Sequence, residues 1–206
     1  MTINSRAELW LIRHGETEWS ASGKHTSRTD VRLTEKGRER AAVLGEYLAE
    51  TEFCAVFRSP MARARETCEI AGFGERAVVD ADLCEWNYGV YEGQTTREIQ
   101  AELPGWSVWK DAIVGGESLE EVGARADRMI AKALGAAKTA GAGARNVALF
   151  GHAHILRILA ARWVGLPPDC GALLVLGTGS VSVLGWERET RVIQQWNRGF
   201  EDNRNQ

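Results

Sequence analysis

The sequence predicts an α/β fold: a three-layer αβα sandwich around a mainly parallel central sheet, with an inserted lid segment. Two observations predict it. Short apolar runs alternate with longer stretches of helical period, the pattern left by crossover helices between parallel strands. Three of those runs stop at polar groups of one kind: Arg13-His14-Gly15, Arg58-Ser59-Pro60 and Gly151-His152. The 206 residues suit a single domain over 1–206.

Residues 8–13 (ELWLIR) read as a buried strand that delivers polar groups to a loop, and a polar loop over 15–32 follows. Thr34 can cap a helix to about residue 50, whose core stripe is Gly37, Ala41, Leu44 and Leu48. A strand at 53–57 precedes Pro60, which suits the start of a helix running to about Gly72. After a short strand at 77–79, residues 82–116 are rich in Gly, Trp, Tyr and acid, with weak periodicity and a breaker at Pro104. That segment is expected to be a lid inserted over the site. Residues 117–138 give the clearest helical pattern, through Leu119, Val122, Ala126, Met129, Ile130, Ala133 and Leu134, and Gly141–Gly143 should end it. A strand at 146–150, a helix at 154–164 and a closing pair of strands at 180–186 and 191–196 complete the chain.

With 44% hydrophobic and 26% charged residues the chain is expected to be globular and not disordered. A net charge of −3 argues against nucleic-acid or membrane-surface partners, which need a basic face. No run approaches the roughly 18 apolar residues of a membrane span, and Cys54, Cys68, Cys84 and Cys170 lack CxxC spacing. Reduced thiols in a cytoplasmic protein are the expectation. The four histidines, at 14, 25, 152 and 154, fall in two short segments.

Ligands of open α/β sheets sit beyond the carboxyl ends of the strands, where Arg13-His14, Arg58 with Arg63, and His152 would converge. Such a cationic cluster is costly without an anion, and a phosphate dianion suits it. Guanidinium forks match phosphate oxygens, and a neutral imidazole can attack phosphorus.

Leu11-Ile12-Arg13-His14-Gly15-Glu16-Thr17-Glu18-Trp19 resembles the signature of the histidine phosphatase superfamily, which includes phosphoglycerate mutases and many phosphatases. The resemblance continues, in family order, through Asp30, Leu33-Thr34, Ser59-Pro60, Arg63-Ala64, Thr67, Glu85, Tyr88-Gly89, Glu92-Gly93 and Gly151-His152. It implies a phosphoglycerate mutase-like fold and a small phosphorylated substrate. It makes His14 the nucleophile that carries phosphate, with Gly15 leaving room and a carbonyl to fix the imidazole tautomer. Arg13, Arg63 and His152 would cradle the phosphoryl oxygens, and Glu85 would act first as acid, then as base. No metal and no cofactor are implied, because arginine and histidine donors can stabilise the loose transition state. Substrate contacts are expected at Arg13, Ser20, His25, Thr26, Arg63, His152 and Ala153.

Two positions depart from the family pattern. Ala153 stands where glycine usually follows the histidine and so requires negative φ, and Ser20 stands where many relatives have asparagine. Glu85 beside Trp86 and Tyr88 is expected to have a raised pKa, giving an acidic-to-neutral optimum.

The stretches Glu18-Trp19-Ser20, Gly23-Lys24-His25-Thr26, 85–89 and 106–109 look most like the sedoheptulose-bisphosphatase and related sugar-phosphatase branch. Mutases of the superfamily carry paired arginines in the insertion, whereas here Arg97 and Lys110 are isolated. The favoured activity is therefore a metal-independent phosphatase acting on a sugar phosphate or bisphosphate. A cofactor-dependent phosphoglycerate mutase and a non-catalytic phospho-ligand binder remain alternatives. Structural roles are open or expected elsewhere. His154 can be a first-turn helix residue, Glu92 a scaffold residue, Arg58 and Arg65 surface salt bridges, and Arg157 the partner of an acid. Lys24, Arg28, Arg97 and Lys110 are candidates for a second phosphate, and Trp86, Trp106 and Trp109 either line a sugar pocket or fill the lid. Oligomeric state is left open.

Overall fold

The computed structural model describes residues 6–140 and 145–200. Its first strand, β1 (Leu9–Arg13), lies at the centre of a six-stranded sheet with β2 (Phe53–Arg58), β3 (Ala77–Val79), β4 (Asn146–Gly151), β5 (Val181–Glu187) and β6 (Thr190–Arg198). The order is β3-β2-β4-β1-β5-β6. The first four are mutually parallel, while β5 runs antiparallel to β1 and β6 antiparallel to β5. The anticipated closing pair of strands is thus the antiparallel edge of the sheet.

Period-two alternation divides the core between the two faces. Leu9, Leu11, Val147 and Leu149 enter one cluster, while Ile12, Ala148 and Phe150 enter the other. The first face is covered by α5 (Leu119–Thr139) and α6 (Ala153–Trp163), which bury Val122, Ala126, Met129, Ile155 and Leu159. The second is covered by α2 (Glu35–Leu48) and α3 (Ala62–Ile70), through Leu44, Leu48 and Cys68. Helices on both faces of a mainly parallel sheet make the expected three-layer sandwich.

Boundaries shift by one or two residues from those the sequence predicts. Thr34 caps α2 through Gly37 N, and the stripe Gly37, Ala41, Leu44 and Leu48 is buried. Pro60 lies two residues before α3, and Asp30 Oδ1 accepts from Ala62 N at 2.6 Å to seat that helix. Helix α1 (Glu18–Ser22) interrupts the anticipated polar loop, closed by a capping box between Thr17 and Ser20. Helix α4 (Thr96–Glu102) lies inside the insertion and ends before Pro104. The glycines expected to stop α5, at 141–143, lie outside the described residues.

The insertion leaves and rejoins the sandwich at one place. Glu117 N donates to Asn87 O at 3.0 Å and Val90 N to Val114 O at 3.0 Å, so its two ends lie side by side. Its middle is pinned over the loop after α1, where His25 N donates to Gln94 O and Gly93 N donates to His25 O, both at 2.8 Å.

Candidate active site

Strands β1 and β4 pair in parallel with Arg13 opposite Gly151, so the next residues, His14 and His152, leave the sheet side by side. Their rings lie 5.2 Å apart. The His14 Nδ1 is 2.7 Å from Gly15 O, an acceptor, so Nδ1 carries the proton and Nε2 keeps its lone pair. Burial, reinforced by the Arg13 and Arg63 charges, holds His14 well below the usual imidazole range, which keeps the ring neutral. Gly15 is required for close packing: a Cβ there would stand 2.5 Å from Gly37 O of α2. Gly15 N donates to Thr67 Oγ1 of α3 at 3.0 Å, which fixes the loop from the other side.

Arg63 is fully buried behind this pair. Its Nε donates to His152 Nδ1 at 3.1 Å, and its terminal nitrogens donate to the carbonyls of Thr26, Ser27 and Thr29. Accepting at Nδ1 leaves the His152 proton on Nε2, which donates to Ser59 Oγ at 2.8 Å. Burial first, and Arg63 second, depress the His152 pKa well below its ordinary value. Glu92 secures the same loop by accepting from Ser27 N and Thr29 N, the scaffold role expected of it.

A cavity of about 490 Å³ opens in front of His14. Arg13, Ser20, His25, Thr26, Glu85 and Ala153 line it, joined by Lys24, Tyr88, His154 and Arg157. Arg13 donates one terminal N–H to Leu176 O, while its buried Nε has no hydrogen-bond partner among the described residues. Trp106 and Trp109 of the insertion close the far side.

Glu85 sits at the N-terminus of α6. Its Oε1 accepts from Trp86 N and Ile155 N, both at 3.0 Å, and its Oε2 accepts from His154 N at 3.1 Å. Burial alone would raise its pKa, but hydrogen bonding from the His154 segment and the nearby His154 and His152 outweigh it and hold the carboxyl well below the usual range. The raised pKa expected from Trp86 and Tyr88 is therefore corrected: the His154 side chain first, then the His154 and His152 charges, with the backbone N–H of His154 adding to them, outweigh burial. Trp86 itself is buried and donates Nε1–H to Glu117 O at 2.8 Å.

A family model for the histidine phosphatase superfamily, branch 1, matches residues 9–199. The chain belongs to that superfamily. It is 39% identical over 187 residues to an acid phosphatase of Mycobacterium tuberculosis, covering 90% of this chain and 89% of the relative. It is 36% identical over 182 residues to sedoheptulose 1,7-bisphosphatase of Saccharomyces cerevisiae, covering 76% of this chain and 67% of the relative. A solved structure of a functionally characterised Mycobacterium tuberculosis open reading frame superposes with a TM-score of 0.86 at 37% identity, covering 94% and 98% of the two chains.

Within this histidine phosphatase the remaining anticipated residues fall into place or move. Ala153 opens α6 without entering the positive-φ region, so its methyl group brings no strain. Ser20 lines the cavity, but its hydroxyl is committed to Thr17 N and Thr17 O. His25 is buried, its Nε2 3.3 Å from Thr96 Oγ1, and burial, with the His154 charge, lowers its pKa to about 4. Arg157 pairs with no acid among the described residues. It donates to Gly171 O and Ala172 O and lies 4.6 Å over the Trp109 ring, which corrects the expected ion pair. Arg65 pairs with Glu69 as anticipated, whereas Arg58 donates to Ser59 O. Of the four second-phosphate candidates only Lys24 lines the cavity; Arg28, Arg97 and Lys110 do not.

Sequence reasoning missed Arg125. Its guanidinium reaches from α5 to Asp82 O at 2.9 Å, Cys84 O at 2.8 Å, Glu85 O at 3.4 Å and both Glu117 oxygens. Glu117 in turn accepts from Asn87 N at 2.9 Å. The segment that presents Glu85 is thereby clamped on both sides.

Proposed function

We propose that the protein is a metal-independent phosphomonoesterase that hydrolyses a small sugar phosphate or bisphosphate through a phosphohistidine on His14. The observation that carries this reading is the state of His14: neutral, with Nδ1 tied to Gly15 O and Nε2 making no hydrogen bond among the described residues. In the first step Nε2 attacks phosphorus and, as the bond to the leaving oxygen breaks, that oxygen takes a proton from the Glu85 carboxyl, which the dianionic substrate keeps protonated and which is left ionised. Arg13 meets the phosphoryl oxygens from the cavity wall, while Arg63 and His152 act from behind, their positive charge and dipoles opposing the charge that builds up. Water then attacks the phosphohistidine, its proton is accepted by the ionised Glu85, and phosphate leaves. Arginine and histidine donors supply the charge stabilisation a metal would otherwise give, so dialysis against a chelator should leave turnover intact.

The substrate class rests on the rest of the cavity. Trp106 and Trp109 offer aromatic faces to a sugar ring. Lys24 and Arg157 add two cations beyond those near His14, which suits a second anionic group. The relatives named above act as an acid phosphatase and a sugar bisphosphatase, in keeping with hydrolysis over mutase chemistry.

A phosphate-release screen over sugar monophosphates, sugar bisphosphates, phosphoglycerates and nucleotides tests the proposal. Free phosphate should appear most rapidly from sugar phosphates, and His14→Ala should abolish both turnover and acid-labile phosphate on the protein. Transfer to a neighbouring hydroxyl without release would establish a mutase instead, and undiminished activity of His14→Ala would end the phosphohistidine mechanism.

A further inference from the structure

Arg13 lines the cavity in front of His14, and among the described residues no carboxylate pairs with it to hold its guanidinium in place. The one hydrogen bond of that guanidinium among the described residues runs to Leu176 O. Its aim therefore depends on the Leu176 carbonyl. Leu176 is followed by Gly177-Thr178-Gly179, where two glycines leave the backbone unusually free, and Gly179 takes up that freedom at φ +62°. Something outside this stretch has to fix it.

Asn197, near the end of β6, does so. Its side-chain Oδ1 accepts from Gly177 N at 2.7 Å. Gly177 N and Leu176 O are the two ends of one planar trans peptide unit, so Asn197 grips one end and Arg13 the other. The result is a relay from the Asn197 amide through the 176–177 peptide to the guanidinium, in which each hydrogen bond polarises the next. The peptides before and after are tied as well: Trp196 Nε1 donates to Val175 O at 2.6 Å and Ser180 Oγ to Gly177 O at 2.7 Å.

The backbone of Asn197 points the same way. Its φ of +55° lies in the left-handed region that glycine enters most cheaply and asparagine tolerates. Val181 pairs with Arg198 and Val183 with Gln195, so β6 carries one residue more than β5 between those pairs, a bulge that turns Asn197 N onto the buried Ser182 Oγ at 2.9 Å. A glycine would suit this bulge at less cost, but it would leave Gly177 N without its acceptor.

We propose that Asn197 is a positioning residue for phosphoryl transfer: acting through the 176–177 peptide, it sets the direction in which Arg13 offers its remaining N–H groups to the phosphoryl oxygens. The inference rests on the phosphatase reading of the site. The same stretch also steadies the nucleophile, since Gly179 N donates to His14 O at 2.9 Å and Arg13 N to Ser180 O at 3.1 Å. A bulge on the antiparallel edge of the sheet is thus coupled to a cation at its centre, and Asn197 itself touches no substrate.

Asn197→Gly removes the acceptor while easing the backbone, so the fold should persist with Tm moved by less than about 4 °C. With p-nitrophenyl phosphate its kcat/KM should fall about tenfold or more, and vanadate, a mimic of the phosphoryl group in flight, should bind about tenfold more weakly by calorimetry. Asn197→Asp keeps an oxygen acceptor and tolerates the left-handed backbone, so it should return both quantities to within about threefold of wild type. In an Arg13→Met background, adding Asn197→Gly should change vanadate affinity by less than about twofold, because the group it acts through is gone. Wild-type kcat/KM in Asn197→Gly, an equal loss in Asn197→Asp, the same vanadate loss with and without Arg13, or a Tm drop well beyond that range would each overturn the assignment. Failure of the phosphatase reading looks different: the wild-type protein would release no phosphate from any ester, while vanadate binding would still report on Asn197 and Arg13.

Discussion

Arg125→Met removes the clamp behind Glu85 while leaving the cavity lining untouched. The guanidinium is only 11% exposed, and it makes two strong backbone contacts, to Asp82 O and Cys84 O, plus a forked pair with Glu117. Breaking a fully buried pair costs about 3–5 kcal/mol, but Glu117 is 25% exposed and keeps Asn87 N as a partner, so part of that penalty is relieved by water. Methionine fills much of the vacated volume. A net loss of about 2–3 kcal/mol follows, which for a domain of this size lowers Tm by about 5–10 °C. The same change loosens the segment from Asp82 to Glu85, and a displacement near 1 Å costs about 100-fold in rate. Thermal melts by circular dichroism and kcat on the best substrate of the release screen measure the two effects. Arg125→Lys should recover part of the stability but little of the rate, because an ammonium cannot span three carbonyls and a carboxylate at once. A Tm change below about 2 °C, or lost stability with unchanged kcat, would refute the claim that this clamp positions Glu85.

Two more outcomes are expected. Gly15→Ala forces a Cβ to within 2.5 Å of the Gly37 carbonyl oxygen, so it should cost about 1–3 kcal/mol and drop kcat about 100-fold; a wild-type melting curve and rate would contradict the packing argument. His14, His25 and His152 all titrate below their ordinary value of 6.5 when folded, so the unfolded chain binds more protons below that pH. Their contribution is complete above about pH 6.5 and is lost as pH falls toward the folded values; for His25, shifted to about 4, the loss amounts to about 3 kcal/mol. Glu85 adds to the acid lability, its folded carboxyl lying below its unfolded value. Calorimetry at pH 7 and pH 4.5 should show a falling Tm, and a flat profile would mean these rings are not buried as neutral species.

The strands that carry the chemistry were legible because they are uninterrupted apolar runs ending in charged or imidazole side chains. Arg13, His14 and His152 therefore sit where the sequence puts them. Helix α1 escaped notice because five residues with no buried side chain leave no apolar stripe. Helix α4 carries a capping box, Thr95 to Glu98, but buries Ile99 alone and so shows no periodicity. The direction of the Glu85 shift depended on the histidines that fold against it, and nothing near residue 85 announces partners at 152 and 154. Arg125 was missed and Arg157 misread for a related reason. An arginine on a helix looks the same in sequence whether it meets water, a carboxylate or a row of main-chain carbonyls.

The single doorway through which the insertion departs and returns has a consequence for how such enzymes diversify. Asn87 and Glu117 are joined by a backbone hydrogen bond, and Glu92 and Gln94 hold the loop that carries His25 to Thr29, so the stretch beyond Gln94 can be exchanged, lengthened or trimmed without moving the strands that precede His14 and His152. The chemistry is carried by the sheet and the selectivity by a removable cassette. A new substrate can therefore be reached by recombining one peptide segment, with the phosphoryl-transfer centre inherited whole.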